Sequence, residues 1–333
     1  MNGSLRLTNL LLATCALALT VGLCEILARA LRPLPFSTAE VWSGFDDQLH
    51  QHFFVPDPEL GYRPGPGWTG TQGRFGFRNG AEYDDGGIEP ILDVAVLGDS
   101  LIQDGELGNA LRTRLAPIGA RVWVAGIGGY NTLQEARYLE RWITRVPDVL
   151  VLGFCLNDFA RSMVVVARGK RARFVSPDFE PLGGVNPFLF EHWALYRLVQ
   201  AALLSKRDRR QYTPEGVRRG ADGVRRGLEQ MREYSRARHL PFVVVLYPHL
   251  EPTETGWMAE AHREARALLS ELAIPFVDLG PVYAARGPVE LRLKPDDVVH
   301  PNQEGHDLAA DTLLAAYPDV FAAPRGGGPS AGP

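Results

Sequence analysis

The chain has 333 residues, 45% of them hydrophobic, which suits one large α/β domain with additions and exceeds what one small domain needs. Its formal net charge of −4 argues against a general nucleic-acid binder. Of 35 basic residues only Lys170, Lys206 and Lys294 are lysines, a skew that points to a GC-rich genome rather than to a function.

The first element is the run Leu7 to Cys24, 18 residues without a charge. That is near the lower limit for a membrane-spanning helix and long for the apolar part of a cleaved signal. No Ala-x-Ala closes the run, and neither Thr14 before Cys15 nor Leu23 before Cys24 suits a lipoprotein cysteine. Residues 1–27 therefore read as an uncleaved signal anchor, with a cleaved secretory signal as the alternative. Arg6 lies on one side, and Glu25, Arg29 and Arg32 lie on the other, so charge does not set the orientation. The rest of the chain is placed on the extracytoplasmic side because N-terminal anchors usually export the domain attached to them.

Residues 28–88 are rich in Pro, Gly and aromatics and show no period of 2 or 3.6; they read as an irregular leader packed on the domain. Strand-length apolar runs come next, at 91–98, 121–127, 148–154, 241–247 and 274–279. Helical stretches separate them. The clearest is 214–239, where Val217, Ala221, Val224, Leu228 and Met231 share a face, Thr213 caps and Pro214 suits the first position. Its arginine pairs fall on the outer face and read as a solvated surface. Residues 160–212 interrupt the alternation. The apolar stretch 186–206 within them reads as a lid, as a helix packed on the core, or as a face that touches a membrane. Residues 323–333 are a low-complexity tail, expected to be disordered.

Alternating strands and helices, with strands that are apolar throughout, predict a parallel sheet covered on both faces. Ligands then bind beyond the carboxyl ends of the strands. At those ends stand Gly98, Asp99 and Ser100, then Gly126, Gly128, Gly129, Tyr130 and Asn131, then Asn157 and Asp158; before the last helix come Asp297, His300 and Asn302.

A serine nucleophile needs a base, usually histidine, and the histidine needs an acceptor on its other nitrogen. Ser100, His300 and Asp297 can fill these roles, with Asp296 a competing acceptor at a less suitable spacing. Donors must also face the oxygen that becomes negative. The backbone N–H groups of Ser100 and Gly129 and the side-chain amide of Asn157 can supply them. Taken alone, Ser100 reads as a helix cap, Gly129 as a turn residue and Asn157 as a loop cap. Capping predicts no partners elsewhere in the chain, and here the partners are present.

Cys155 is the lone cysteine of the soluble part and reads as a buried structural thiol. Asp99 reads as a structural residue, His306 as a surface residue of the last helix, and His249 as a loop residue or a residue lining the pocket. His50 and His52 have no acidic or cysteine cluster nearby, so no metal is expected.

These blocks resemble the SGNH, or GDSL-type, hydrolase superfamily. "GDSL" stands at 98–101, "GIGGYNT" resembles the second block, "CLND" the third and "DVVHPN" the last. The resemblance covers about residues 89–320, and the leader together with the Gly-Tyr-Asn-Thr block resembles a bacterial subgroup with an N-terminal membrane segment. It departs at Cys155, where the family usually has glycine, and at Val124, where it often has asparagine. The resemblance implies a flavodoxin-like three-layer α/β/α sandwich on a five-stranded parallel sheet over residues 89–322, preceded by the transmembrane helix. It implies Ser100, Asp297 and His300 as catalytic residues, and Ser100, Gly129 and Asn157 as the oxyanion hole. It implies a serine esterase without a cofactor, acting on an ester-bearing small molecule, lipid or glycan. An acyltransferase with the same triad, or an inert envelope-assembly or carbohydrate-binding module, are the alternatives.

Overall fold

The computed structural model describes residues 2–31, 41–43, 54–57, 60–64, 91–103, 106–143, 146–159, 164–168, 171–175, 187–196, 198–199, 212–252 and 255–322. In chain order the elements begin with helix α1 (Asn2–Leu31) and the short strands β1 (Val41–Ser43), β2 (Phe54–Asp57) and β3 (Gly61–Pro64). Strand β4 (Leu92–Gly98) leads into α2 (Ser100–Gln103) and α3 (Glu106–Leu115). Then come β5 (Ala120–Gly126), α4 (Thr132–Trp142), β6 (Val149–Phe154), β7 (Val164–Arg168), β8 (Arg171–Val175) and α5 (Pro187–His192). The chain closes with α6 (Pro214–Ala237), β9 (Phe242–Leu246), α7 (Gly256–Glu271), β10 (Phe276–Asp278), α8 (Gly280–Arg286) and α9 (Gln303–Ala316).

Five of these strands form one parallel sheet in the order β10-β9-β6-β4-β5. Counted along the chain from the β5 edge that is 2-1-3-4-5, the flavodoxin-like order expected from the sequence. The five apolar runs are these five strands, shifted by no more than two residues at either end.

Side chains alternate across the sheet. Ala95, Leu97, Trp123, Ala125, Leu150, Leu152, Val244 and Leu246 join one core with α4, α6 and α7. Val94, Val96, Val122, Val124, Val149, Val151, Val243 and Val245 join a second core with α3, α8 and α9. Both faces of the sheet are therefore covered, which is why its strands read as continuous apolar runs. In α6, Val217, Val224, Leu228 and Met231 are buried with Ala221 packed beside them, and the Thr213 side chain accepts the Gly216 N–H. At the amino-terminal edge of the sheet, buried Asp93 accepts from Arg121 and from the Trp123 indole at 2.7 Å each. This ion pair lies at the opposite end of β4 from Ser100.

The leader is more regular than its composition suggests. Strands β2 and β3 form an antiparallel hairpin, and β1 pairs in parallel with β7, which pairs with β8. The interruption 160–212 thus begins as a hairpin joined to the leader, not only as a helix. Leu60 is fully buried in the main core, and its carbonyl accepts from the Gln134 side chain at 2.7 Å. The tail 323–333 and the pair His50 and His52 lie outside the described residues.

Candidate active site

Strand β4 ends at Gly98, and Ser100 opens α2 directly beyond it. Gly98 pairs with Gly126 of β5 on one side and with Gly153 of β6 on the other. The three glycines form a row across the carboxyl edge of the sheet, and Ile102 of α2 lies on it. A β-carbon at Gly98 or Gly153 would lie 2.4 Å from an Ile102 side-chain atom, and one at Gly126 would lie 2.2 Å from the Gln103 backbone nitrogen. Side chains there would lift α2, and Ser100 with it, off the sheet. The Asp99 carbonyl accepts the N–H groups of Ile102 and Gln103, which closes the turn.

His300 and Asp297 stand on the loop before α9. Asp297 accepts the N–H groups of Val299 and His300 at 3.0 and 2.9 Å. The loop is pinned from outside as well: Leu293 N–H donates to the His300 carbonyl, Asn302 N–H to the Leu291 carbonyl, and Leu250 N–H to the Val298 carbonyl. Asn302 caps α9 by accepting the Gly305 N–H.

The three side chains meet in line. His300 Nε2 lies 2.9 Å from Ser100 Oγ, across 200 residues of sequence. On the other side of the ring, Nδ1 lies 3.0 Å from each Asp297 carboxylate oxygen. Asp297, not the exposed Asp296, meets the ring. Burial alone would raise the Asp297 pKa, but the N–H groups of His300 and Val299 and the His300 ring outweigh it and hold the carboxyl below its usual value. The group stays ionised, so Nδ1 keeps its proton and Nε2 faces Ser100 as an acceptor.

The expected oxyanion donors lie around Ser100 in unequal states. After β5 the chain turns at Ile127–Tyr130, closed by the Tyr130 N–H to the Ile127 carbonyl, with exposed Gly129 at φ 81°. A left-handed backbone at the third turn position favours glycine. The Gln103 side chain accepts the Gly128 N–H at 2.6 Å, and a β-carbon at Gly128 would be 3.7 Å from Ser100 Cβ. The turn therefore stands beside Ser100. Asn157 Nδ2 donates to Asp99 Oδ2 at 3.2 Å, and its Oδ1 is buried without a partner. One Nδ2 hydrogen is engaged by Asp99, which leaves the second for another acceptor.

Asp99 is the hub that the motif letters do not announce. It is fully buried and accepts the Leu101 N–H and the Asn157 amide. Burial raises its pKa, and these donors together with His300 and the Ser100 N–H partly offset that. Behind it lie two further buried acids. Thr132 donates to Asp158 Oδ2 at 2.7 Å, while Asp158 Oδ1 and both Glu135 oxygens have no partner. Burial, with the neighbouring acids adding to it, pushes the Glu135 and Asp158 pKa values well up. Burial, again with Asp99 and Asp158, pushes the Cys155 thiol up, in keeping with a structural thiol.

His306 differs from expectation, whereas His249 stands in the loop after β9, one of its two expected places. His306 is not on the surface: it is 2% exposed, lies 3.2 Å by Nδ1 from the Tyr247 hydroxyl, and burial lowers its pKa to about 4. The inner face of α9 carries it, on one stripe with buried Ala309, Ala310 and Leu313. His249 is buried and packs edge-on against Trp257.

Comparison with solved structures finds LAE5, an alpha/beta hydrolase from the metagenome of Lake Arreo in Spain. It is 16% identical, with 70% of this chain and 98% of that chain covered and a TM-score of 0.45. Axe2, an acetylxylan esterase from Geobacillus stearothermophilus, is 15% identical over 70% of this chain and 97% of its own, with a TM-score of 0.45. The acetyl xylan esterase AlAXEase is 16% identical over 68% of this chain and 99% of its own, with a TM-score of 0.43. No curated protein matches the sequence. The family model described as GDSL-like lipase/acylhydrolase matches residues 96–308, and by that match the chain belongs to the GDSL-like lipase/acylhydrolase family.

Proposed function

We propose that the protein is a serine esterase that hydrolyses a carboxylic O-acyl ester through an acyl-enzyme on Ser100. One observation carries the reading: Ser100, His300 and Asp297, from two ends of the domain, form a continuous hydrogen-bonded line. Family membership supplies the reaction class.

Ser100 Oγ attacks the carbonyl carbon while His300 Nε2 takes its proton. The tetrahedral oxyanion accepts from the N–H groups of Ser100 and Gly129 and from Asn157 Nδ2. Collapse breaks the bond to the alcohol, which leaves with the proton from His300. Water then attacks the acyl-enzyme, gives a proton to His300, and the acid departs as Ser100 recovers that proton. Asp297 orients the ring and stabilises its charged form throughout.

Helix α1 supports a membrane setting for the domain. Residues Leu7–Ala30 form one helix long and apolar enough to cross a bilayer, a test that a signal sequence also passes. We read it as a retained anchor with the domain on the extracytoplasmic side, and the substrate as an ester borne by a lipid or glycan there. Turnover of short-chain aryl esters by wild type and Ser100→Ala tests the reaction. An acyl-bearing glycan product in the presence of an acceptor, instead of free acid, would replace hydrolysis with transfer.

A further inference from the structure

The described residues between β8 and α6 leave large apolar side chains in the open. Phe188 is 64% exposed, Trp193 44% and Val199 51%. Such side chains scattered singly over a surface need no explanation, but these three fall within twelve residues, on a stretch held in one place at Ala194 and Leu195. That place is set by α1. Glu25 accepts the N–H of Ala194 at 2.9 Å through one oxygen and the N–H of Leu195 at 2.7 Å through the other. Arg29 pairs with Glu25 at 2.6 Å and also donates to the His192 carbonyl. Ala28, between them, is buried.

Glu25 is the first charge after the apolar run. From Leu7 to Cys24 that run measures about 27 Å along the axis, close to the thickness of a hydrocarbon core. Leu10, Leu11, Leu12, Leu17 and Leu19 are all more than half exposed, so among the described residues none covers these leucines. If the run fills the bilayer, Glu25 stands at its surface, and residues 192–195, held by Glu25 and Arg29, stand at the same level.

We infer that residues 187–196, with 198 and 199, are a lipid-contacting foot, docked on the end of α1, which sets Phe188, Trp193 and Val199 into the interfacial layer of the membrane that α1 crosses. The inference rests on reading α1 as a retained anchor. The chemistry suits that layer. The indole of Trp193 has an apolar body and a polar edge, the combination found at membrane interfaces, and Phe188 and Val199 bury apolar surface beside it. The Glu25 carboxylate satisfies two N–H groups that would otherwise lose water on approaching lipid. The domain is then fixed against the membrane at two points rather than carried on a free tether.

The test uses the full chain reconstituted in phosphatidylethanolamine–phosphatidylglycerol vesicles with brominated acyl chains. Brominated lipid should quench wild-type tryptophan emission, and Trp193→Phe should lose most of that quenching with aryl-ester turnover unchanged. Glu25→Gln, still floating with the vesicles, should show at least a twofold smaller lipid quenching of Trp193. If Trp193→Phe keeps the full lipid quenching, or Glu25→Gln changes nothing, the foot is overturned. Intact mass and flotation of the same samples read the anchor separately. A chain retained from its amino terminus with Trp193 unquenched removes the foot alone, whereas a chain cut before Glu25 that does not float removes the anchor and the foot with it.

Discussion

Gly126 touches the backbone of Gln103: a β-carbon on the glycine would lie 2.2 Å from the Gln103 nitrogen and 2.5 Å from the Ile102 carbonyl carbon. This contact, between the end of β5 and the last turn of α2, sets the height of Ser100 above the sheet. Backbone atoms cannot rotate away as a side chain could. Gly126→Ala should therefore cost about 1–3 kcal/mol of stability by overpacking. It should also lower kcat by roughly tenfold to a hundredfold through displacement of Ser100. Thermal unfolding and steady-state kinetics on aryl esters check both.

Asp297 acts on His300 through an orientation that an amide cannot keep. In Asp297→Asn the side-chain oxygen can still accept the Val299 and His300 N–H groups, so the loop should hold. The amide Nδ2 would then face ring Nδ1 and favour the tautomer with its proton on Nε2, pointing at Ser100. The expected loss in kcat is on the order of 10³–10⁴, with stability little changed. A loss under about tenfold would show that the ring does not depend on this carboxylate.

Asn157 has two duties that separate in measurement. Its amide holds buried Asp99, and in the proposed mechanism its second hydrogen serves the reacting oxygen. Asn157→Ala should lower kcat by about 10²–10³ with KM nearly unchanged, as expected for a donor used in the transition state. It should also cost about 1–3 kcal/mol because Asp99 loses a donor. A rise in KM with kcat unchanged would assign Asn157 to ground-state binding instead.

His306 makes the fold sensitive to acid. Its pKa falls from 6.5 to about 4 because burial disfavours the charged ring. The folded protein keeps the ring neutral while the unfolded chain binds a proton below 6.5, so stability is unaffected by this group at neutral pH and is lost as pH falls from 6.5 toward 4. At full extent the loss amounts to about 3 kcal/mol. Denaturant unfolding of wild type and His306→Gln from pH 7 to pH 4 should show the wild type losing stability more steeply. Parallel curves would contradict the assignment.

The sheet was legible because each of its strands is buried on both faces and so carries a continuous apolar run, bounded by glycine or a polar turn. The hydrogen-bonded line Ser100–His300–Asp297 was legible because serine, histidine and aspartate stand at chain positions that a parallel sheet gathers at one edge. Asp99, in contrast, looks like an ordinary turn residue; only burial beside Asn157 gives it its place. The row Gly98, Gly126 and Gly153 was visible as single letters, but its meaning lies in the register between strands, which one sequence does not print. His306 reads as polar and hence exposed, and it is the inward turn of α9 and the Tyr247 hydroxyl that make its burial tolerable. In the leader, β1 was hidden because it pairs with β7 across more than a hundred residues, and β2 and β3 because each is four residues long and carries proline, too short to show a period.

The nucleophile itself is the most direct test. The full chain, treated with a serine-directed fluorophosphonate and digested, should yield a single modified peptide with the adduct on Ser100. The adduct should be absent in Ser100→Ala and strongly reduced in His300→Ala. Equal labelling of Ser100→Ala, or an adduct on another residue of the wild type, would contradict the account at its centre.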